Sequence, residues 1–363
     1  MEEKKSIRSH LENPLDFEKT SDPCLMATNN SGIRVTMPIG TNCPLKCKHC
    51  YQEGEVKHEV NLETSLLAIN RMAEAGVTKL YWDGAEPMTN KDIPKYLKLI
   101  NELKSSEKYN KDIFNIVSIG TSGMYVNRKR AQDLFDSGLR NIMISLDGAI
   151  KETNDEFRGE GVFEKAMDAI DILVNIGYEL RVGSTLWAGM VDQIPKLVQL
   201  AYEKGAKEVS FNWLQPLGNA LKYPEILIPN SYFRDIAKKV NKVENEYSGR
   251  ILVNMHRRNP IDKTKICKGG RQIVYIAGDR VSPCSWINVL APEFQSQMSL
   301  KEFSLTDILE NDPNIKKFRK LVNNISENGA LCPAICKIHN EVYEGPDPND
   351  KFGVHNFSIF DLR

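Results

Sequence analysis

The stretch Ile33-Arg34-Val35-Thr36-Met37-Pro38-Ile39-Gly40-Thr41-Asn42-Cys43-Pro44-Leu45-Lys46-Cys47-Lys48-His49-Cys50-Tyr51 runs from an alternating, β-branched segment straight into three cysteines with gaps of three and two residues. The alternation reads as a strand. Three thiolates on the loop that follows it can hold three corners of a [4Fe-4S] cubane, which normally takes four. No fourth cysteine is nearby, so one iron would stay open to an exogenous ligand. A structural zinc site completed by His49 or His58 is the competing reading, although such sites usually pair their ligands in two separated knuckles.

Outward from this loop, short apolar runs alternate with longer amphipathic ones. Strands are expected at Ile33 to Ile39, Lys79 to Asp83, Phe114 to Gly120, Asn141 to Asp147, Glu179 to Leu186 and Glu208 to Leu214. Leu62, Leu66, Ile69 and Met72 recur at helical spacing, as do Ala166, Ile170 and Leu173. Gly76, Gly138, Gly177 and Gly205 each stand between an amphipathic stretch and a strand, where a helix C-terminus is expected. Six strand-helix units in series imply parallel strands, hence an incomplete barrel or an open α/β sheet, with ligands at the strand C-terminal ends. Beyond Asn219 the rhythm changes. A helix is expected over Tyr232 to Val243, short strands at Ile251 to Met255, Gln272 to Ala277 and Arg280 to Ser282 with a hairpin turn at Gly278-Asp279, and a helix at Asn314 to Val322. The segmentation is an N-terminal extension over 1–31, a barrel over 32–249, a small α+β extension over 250–344 and a tail over 345–363.

The three-cysteine loop with its following aromatic Tyr51 resembles the signature of the radical S-adenosylmethionine superfamily. The resemblance continues at Gly84-Ala85-Glu86-Pro87, where Ala85 replaces the second glycine of a Gly-Gly-Glu-Pro segment, at Thr121-Ser122-Gly123, and at Ser145-Leu146-Asp147-Gly148 with Phe157-Arg158-Gly159. It implies a partial (β/α)6 TIM-like barrel in which S-adenosylmethionine chelates the open iron held by Cys43, Cys47 and Cys50. An electron then cleaves the sulfonium, giving a 5′-deoxyadenosyl radical that abstracts hydrogen from an unactivated carbon. By the same resemblance, Tyr51, Gly84, Ala85, Glu86, Ser122, Ser145, Asp147, Ser184 and Leu217 bind the cofactor. Ser145 and Asp147 could equally cap the next helix. A flavodoxin- or ferredoxin-type donor supplies the electron.

Cys267, Cys284, Cys332 and Cys336 complete a second set of four thiolates, enough to fill a [4Fe-4S] cluster. The arrangement resembles a twitch domain, the shortened form of the SPASM extension, and implies one auxiliary cluster; structural zinc also satisfies four cysteines. Cys24 stands outside both sets, as a buried thiol or a hydrogen donor to a substrate radical. His256 and Arg257 are candidates to hold a substrate carboxylate or phosphate. Asp279, on the hairpin turn, is either a substrate-side base or simply a turn residue.

The 48 basic and 48 acidic residues cancel, which argues against a nucleic-acid or membrane-surface partner that needs a strong positive field. The charged start and the lack of a long apolar run argue against a signal peptide or membrane span, so the cytosol is the expected compartment and disulfides are not expected. The resulting expectation is hydrogen abstraction from a natural-product precursor. A ribosomal peptide undergoing cross-linking, epimerisation or oxidation comes first. A carbohydrate or aminocyclitol dehydrogenase or epimerase, and a noncatalytic iron-sulfur or zinc protein, are the alternatives.

Overall fold

The computed structural model describes residues 32–52, 60–228, 232–255 and 267–327. Nine strands form one sheet: β1 (Ile33–Pro38), β2 (Val77–Asp83), β3 (Ile116–Thr121), β4 (Asn141–Ser145), β5 (Glu179–Leu186), β6 (Glu208–Trp213), β7 (Leu252–Met255), β8 (Ile273–Ala277) and β9 (Arg280–Ser282). The spatial order is β7-β6-β5-β4-β3-β2-β1-β8-β9. Strands β1 to β7 are therefore neighbours in chain order, and every pair among them is parallel. A doubly wound sheet would reverse its order at a switch point. Winding in one direction instead gives a barrel wall, here an incomplete one that ends at β7 and β9.

The crossovers are amphipathic helices: α1 (Leu62–Glu74), α2 (Ile93–Ser105), α3 (Arg128–Asp136), α4 (Lys151–Arg158), α5 (Val162–Ile176), α6 (Ile194–Glu203) and α7 (Phe233–Glu246). Alternation along the strands assigns the two faces. Val35 and Met37, Leu80 and Trp82, Ile142 and Ile144, Leu180 and Val182, and Val209 and Phe211 are all buried and join the core shared with the helices. The opposite parity, with Arg34, Tyr81, Asp83, Ser118, Met143 and Arg181, lines the concave side. Gly177 shows why the helices stop where they do: at φ 103° it closes α5, and its N–H returns to Leu173 and Val174.

The sheet does not end with the sixth unit. Strand β7 adds to β6 in parallel, and β8 adds to β1 in parallel before turning through Gly278 into antiparallel β9. Helices α8 (Ser285–Leu290), α9 (Leu305–Asn311) and α10 (Pro313–Glu327) follow. Leu300, Leu305, Ile308 and Ile315 share the main core, and Leu300 O accepts from Arg71 Nε of α1 at 3.1 Å. Among the described residues no helix is long and apolar enough to cross a membrane.

Candidate active site

The cysteine loop leaves the C-terminal end of β1 and is pinned at both ends to the end of β2. Ile39 N donates to Asp83 O at 2.9 Å, Gly40 N to Gly84 O at 3.2 Å and Glu86 N to Asn42 O at 3.0 Å. At the far end Ala85 N donates to Gln52 Oε1 at 3.0 Å. A Cβ at Gly40 would lie 2.2 Å from Gly84 O, so only glycine allows this approach. The centre of the loop rests on the end of α4 and on the turn that follows β6. Lys48 N donates to Phe157 O at 2.9 Å, Asn219 N to Cys50 O at 3.0 Å and Asn219 Nδ2 to Cys47 O at 3.2 Å.

Cys47 is buried, and Cys43 and Cys50 are partly so. Burial pushes the Cys47 thiol up to about 11, against the pull of the nearby Arg158 guanidinium, and raises Cys43 as well. The charges of Cys43 and Cys50 also act on Cys47, and Cys43 and Cys50 pack against the small cluster that contains it, so the three converge. Among the described residues, no three histidine, cysteine or carboxylate side chains close on a single metal ion. His49 is stacked on Phe157 at 4.6 Å, its pKa lowered to about 4 by burial. A neutral, stacked imidazole between two converging thiols suits a three-thiolate set for a cubane, with His49 as packing.

Behind the loop, Phe157 stacks in turn on Trp187 at 4.6 Å, and Trp187 Nε1 donates to Asp147 O at 2.7 Å. Asp147 is fully buried. Its Oδ2 pairs with Arg158 Nε at 2.6 Å, and its Oδ1 accepts from Thr185 N at 2.5 Å. Asp147 thus fastens β4, β5 and the end of α4 together. Glu86 does the same for β2 and β3: its Oε1 accepts from Thr121 Oγ1 at 2.6 Å and from Met88 N at 3.1 Å, and its Oε2 from Ser122 N at 2.8 Å and from Ser122 Oγ. The structure therefore places both carboxylates in networks that shape the strand ends, with Ser122 held by Glu86.

The other expected residues fall as follows. Tyr51 follows Cys50, and burial with the neighbouring Asp83 raises its pKa well above the usual phenol. Gly84 and Ala85 both have positive φ, 76° and 53°. Ser145 ends β4 in register with Gly183. Ser184 is buried on β5 with an Oγ that has no hydrogen-bond partner, and Leu217 is buried ahead of Gly218. Cys267 and Cys284 lie against one apolar cluster that includes Ile287, Phe294 and Phe318, and their sulfurs accept from Gly269 N and Ile287 N, each at 3.4 Å. Asp279 sits on the β8–β9 turn, its carboxylate accepting from Ser299 Oγ at 2.5 Å and its carbonyl from Leu300 N at 2.9 Å. Cys24, His256, Arg257, Cys332 and Cys336 lie outside the described residues.

Several supports carry no motif of their own. Asn219 and Gly218 are separated from the cysteines by most of the barrel, and Trp187 reads as an ordinary strand-end aromatic. Only Phe157-Arg158-Gly159 stood out in the sequence, without a role attached.

Residues 37–208 match the Radical SAM superfamily model. The chain is 24% identical over 320 residues to the AdoMet-dependent heme synthase of Methanosarcina barkeri, covering 81% of this chain and 87% of that one. It is 25% identical over 304 residues to the PqqA peptide cyclase of Granulibacter bethesdensis, covering 81% and 78%. Among solved structures, Streptococcus suis SuiB bound to S-adenosylmethionine matches with a TM-score of 0.68 at 16% identity, over 84% of this chain and 74% of that one. Native anSMEcpe with bound AdoMet matches at 0.60 and 17%, over 79% and 83%. The fold, the three-thiol loop and these likenesses define the class: residues 37–208 form a radical S-adenosylmethionine domain. Its cofactors are S-adenosylmethionine and a [4Fe-4S] cluster, and Cys43, Cys47 and Cys50 fit the cluster as its three protein ligands.

Proposed function

We propose that this enzyme abstracts a hydrogen atom from a peptide substrate, and that Cys267, Cys284, Cys332 and Cys336 hold one auxiliary [4Fe-4S] cluster. The observation that carries the reading is the three-thiol loop at the barrel mouth, its ends tied to the Gly84–Glu86 edge and its centre to Asn219. When bound, the cluster and S-adenosylmethionine supply a carbon-centred radical able to attack an unactivated C–H bond. The chain's own residues hold that chemistry in place. Gly84 to Glu86 present backbone beside the cluster loop, while Glu86 and Asp147 keep the ends of β2 to β5 in register. The apolar stack of His49, Phe157 and Trp187 excludes water behind the thiols.

A peptide is favoured by PqqA peptide cyclase among the relatives and by SuiB bound to its precursor peptide SuiA, whose fold matches 92% of this chain at a TM-score of 0.68. The auxiliary cluster is supported by the two backbone N–H donors to Cys267 and Cys284 and by their shared apolar wall. Such a centre, filled by four thiolates, accepts or conducts electrons instead of binding substrate. A flavodoxin- or ferredoxin-type protein is the proposed electron source.

Anaerobic reconstitution should yield about eight irons per chain, falling to about four when Cys43, Cys47 and Cys50 are all changed to alanine. With dithionite and S-adenosylmethionine, 5′-deoxyadenosine should appear, and synthetic precursor peptides should increase its release. Reconstituted protein that releases none defeats the radical reading; release that no peptide stimulates defeats the peptide reading.

A further inference from the structure

Inside the barrel two guanidiniums make no ion pair with any described residue. Arg34 on β1 and Arg181 on β5 both lie over the ring of Tyr81 on β2, their Cζ atoms 4.2 and 5.6 Å from its centroid. Arg181 Nη2 donates to Ser118 Oγ at 2.9 Å, yet the Nε of each arginine is buried without a hydrogen-bond partner. Carboxylates of the same concave face stand near without closing an ion pair on either: Glu208, in register with Arg181, accepts from Asn254 Nδ2 at 3.2 Å, and Asp83 Oδ1 is buried without a hydrogen-bond partner.

Arginine cannot shed its proton at any working pH, so a desolvated guanidinium must find an anion. The wall between the two arginines carries little of its own: Gly120 and Gly183 put no side chain into the barrel, and what lies against both is the flexible Met143 side chain, 3.3 Å from a Cβ at Gly120 and 2.7 Å from one at Gly183. The position is also suitable, since Arg34 and Asp83 face the same barrel interior and the strand that carries Arg34 runs into the cysteine loop, tied at its end by Ile39 N to Asp83 O at 2.9 Å.

We propose that Arg34 and Arg181, braced on Tyr81, form a seat for a substrate carboxylate, which brings an acidic side chain or a free C-terminus into the barrel below the cluster loop. The guanidinium fork suits a carboxylate through paired N–H donors. The inference rests on the peptide-modifying reading above.

The test is anaerobic titration calorimetry on reconstituted enzyme with S-adenosylmethionine bound. Three probes are compared: N-acetyl-glutamate N-methylamide for a side-chain acid, N-acetyl-alanyl-alanine for a C-terminal acid, and N-acetyl-glutamine N-methylamide as the neutral match. At least one acid should bind about tenfold or more tightly than the glutamine probe. The difference should vanish in R34Q and R181Q, and R34K and R181K, which keep the charge and lose the fork, should retain part of it. Equal binding of all three probes to the wild type, or no binding of any, overturns the proposal. So does a fall in S-adenosylmethionine affinity in the glutamine variants, which assigns the guanidiniums to the cofactor. Probe binding is read without turnover, so failure to form 5′-deoxyadenosine would defeat the radical reading separately.

Discussion

Asp83 ends β2 with a carboxylate turned into the barrel, and burial lifts its pKa from 3.8 to about 7. Between those values the unfolded chain is already ionised while the folded one keeps its proton, so stability falls as pH rises through this window and levels off above it. The total is at most roughly 4 kcal/mol. Asp83→Asn carries no such titration. Its urea midpoint relative to wild type should therefore climb between pH 5.5 and pH 8; a gap that stays constant would show an Asp83 that ionises normally. Two residues on, Ala85 takes φ 53° where the family resemblance has glycine. A left-handed alanine costs about 1 kcal/mol, small enough for the segment to keep its shape. The substitution was visible in the sequence, whereas the ionisation of Asp83 was not, because it depends on what β1 and β8 place around it.

At the scale of elements, the cysteine loop is held by a partner remote in sequence. Gly218 sits at φ 53°, and a Cβ there would lie 2.6 Å from Cys50 O and 2.7 Å from Tyr51 Cα. These are backbone atoms and cannot swing aside. Gly218→Ala should displace the loop, cost about 2 kcal/mol or more, and lower the iron retained after desalting, measured as iron per chain; full retention would show a loop that adapts. The strands were largely legible: β5 runs from Glu179 to Leu186 and β9 from Arg280 to Ser282 as their alternation predicts, and β2 gains only Val77 and Thr78. Their ends were not, because Phe114 is drawn out of β3 by a left-handed turn at φ 48°. Within the site the cysteine spacing was plain from the sequence. The partners of Asp147 and Glu86 were not, since nothing in the spacing of the chain brings Arg158 to the one or Thr121 and Ser122 to the other.

For the whole molecule, the informative strand is β8. The change of rhythm after Asn219 suggested a separate extension, yet Ile273, Val274 and Tyr275 pair with Arg34, Val35 and Thr36, making β8 a wall of the barrel. Periodicity identifies a strand but says nothing of its neighbour when the connection is long. A chain stopped after Met255 should leave the outer edge of β1 unpaired, and such an edge recruits other chains. It should elute as oligomers or precipitate in size-exclusion chromatography, and a soluble, monodisperse monomer would show that the barrel closes without β8.

The pairing of β1 with β8 also orders events during synthesis. The first of the described strands leaves the ribosome with this partner still untranslated, and at about 5–20 residues per second the wait lasts on the order of tens of seconds. Through that interval Cys43, Cys47 and Cys50 hang from a half-supported ribbon. Metal loading of a nascent chain would thus begin on a platform not yet finished, and maturation factors would find the thiols at their most accessible before translation ends.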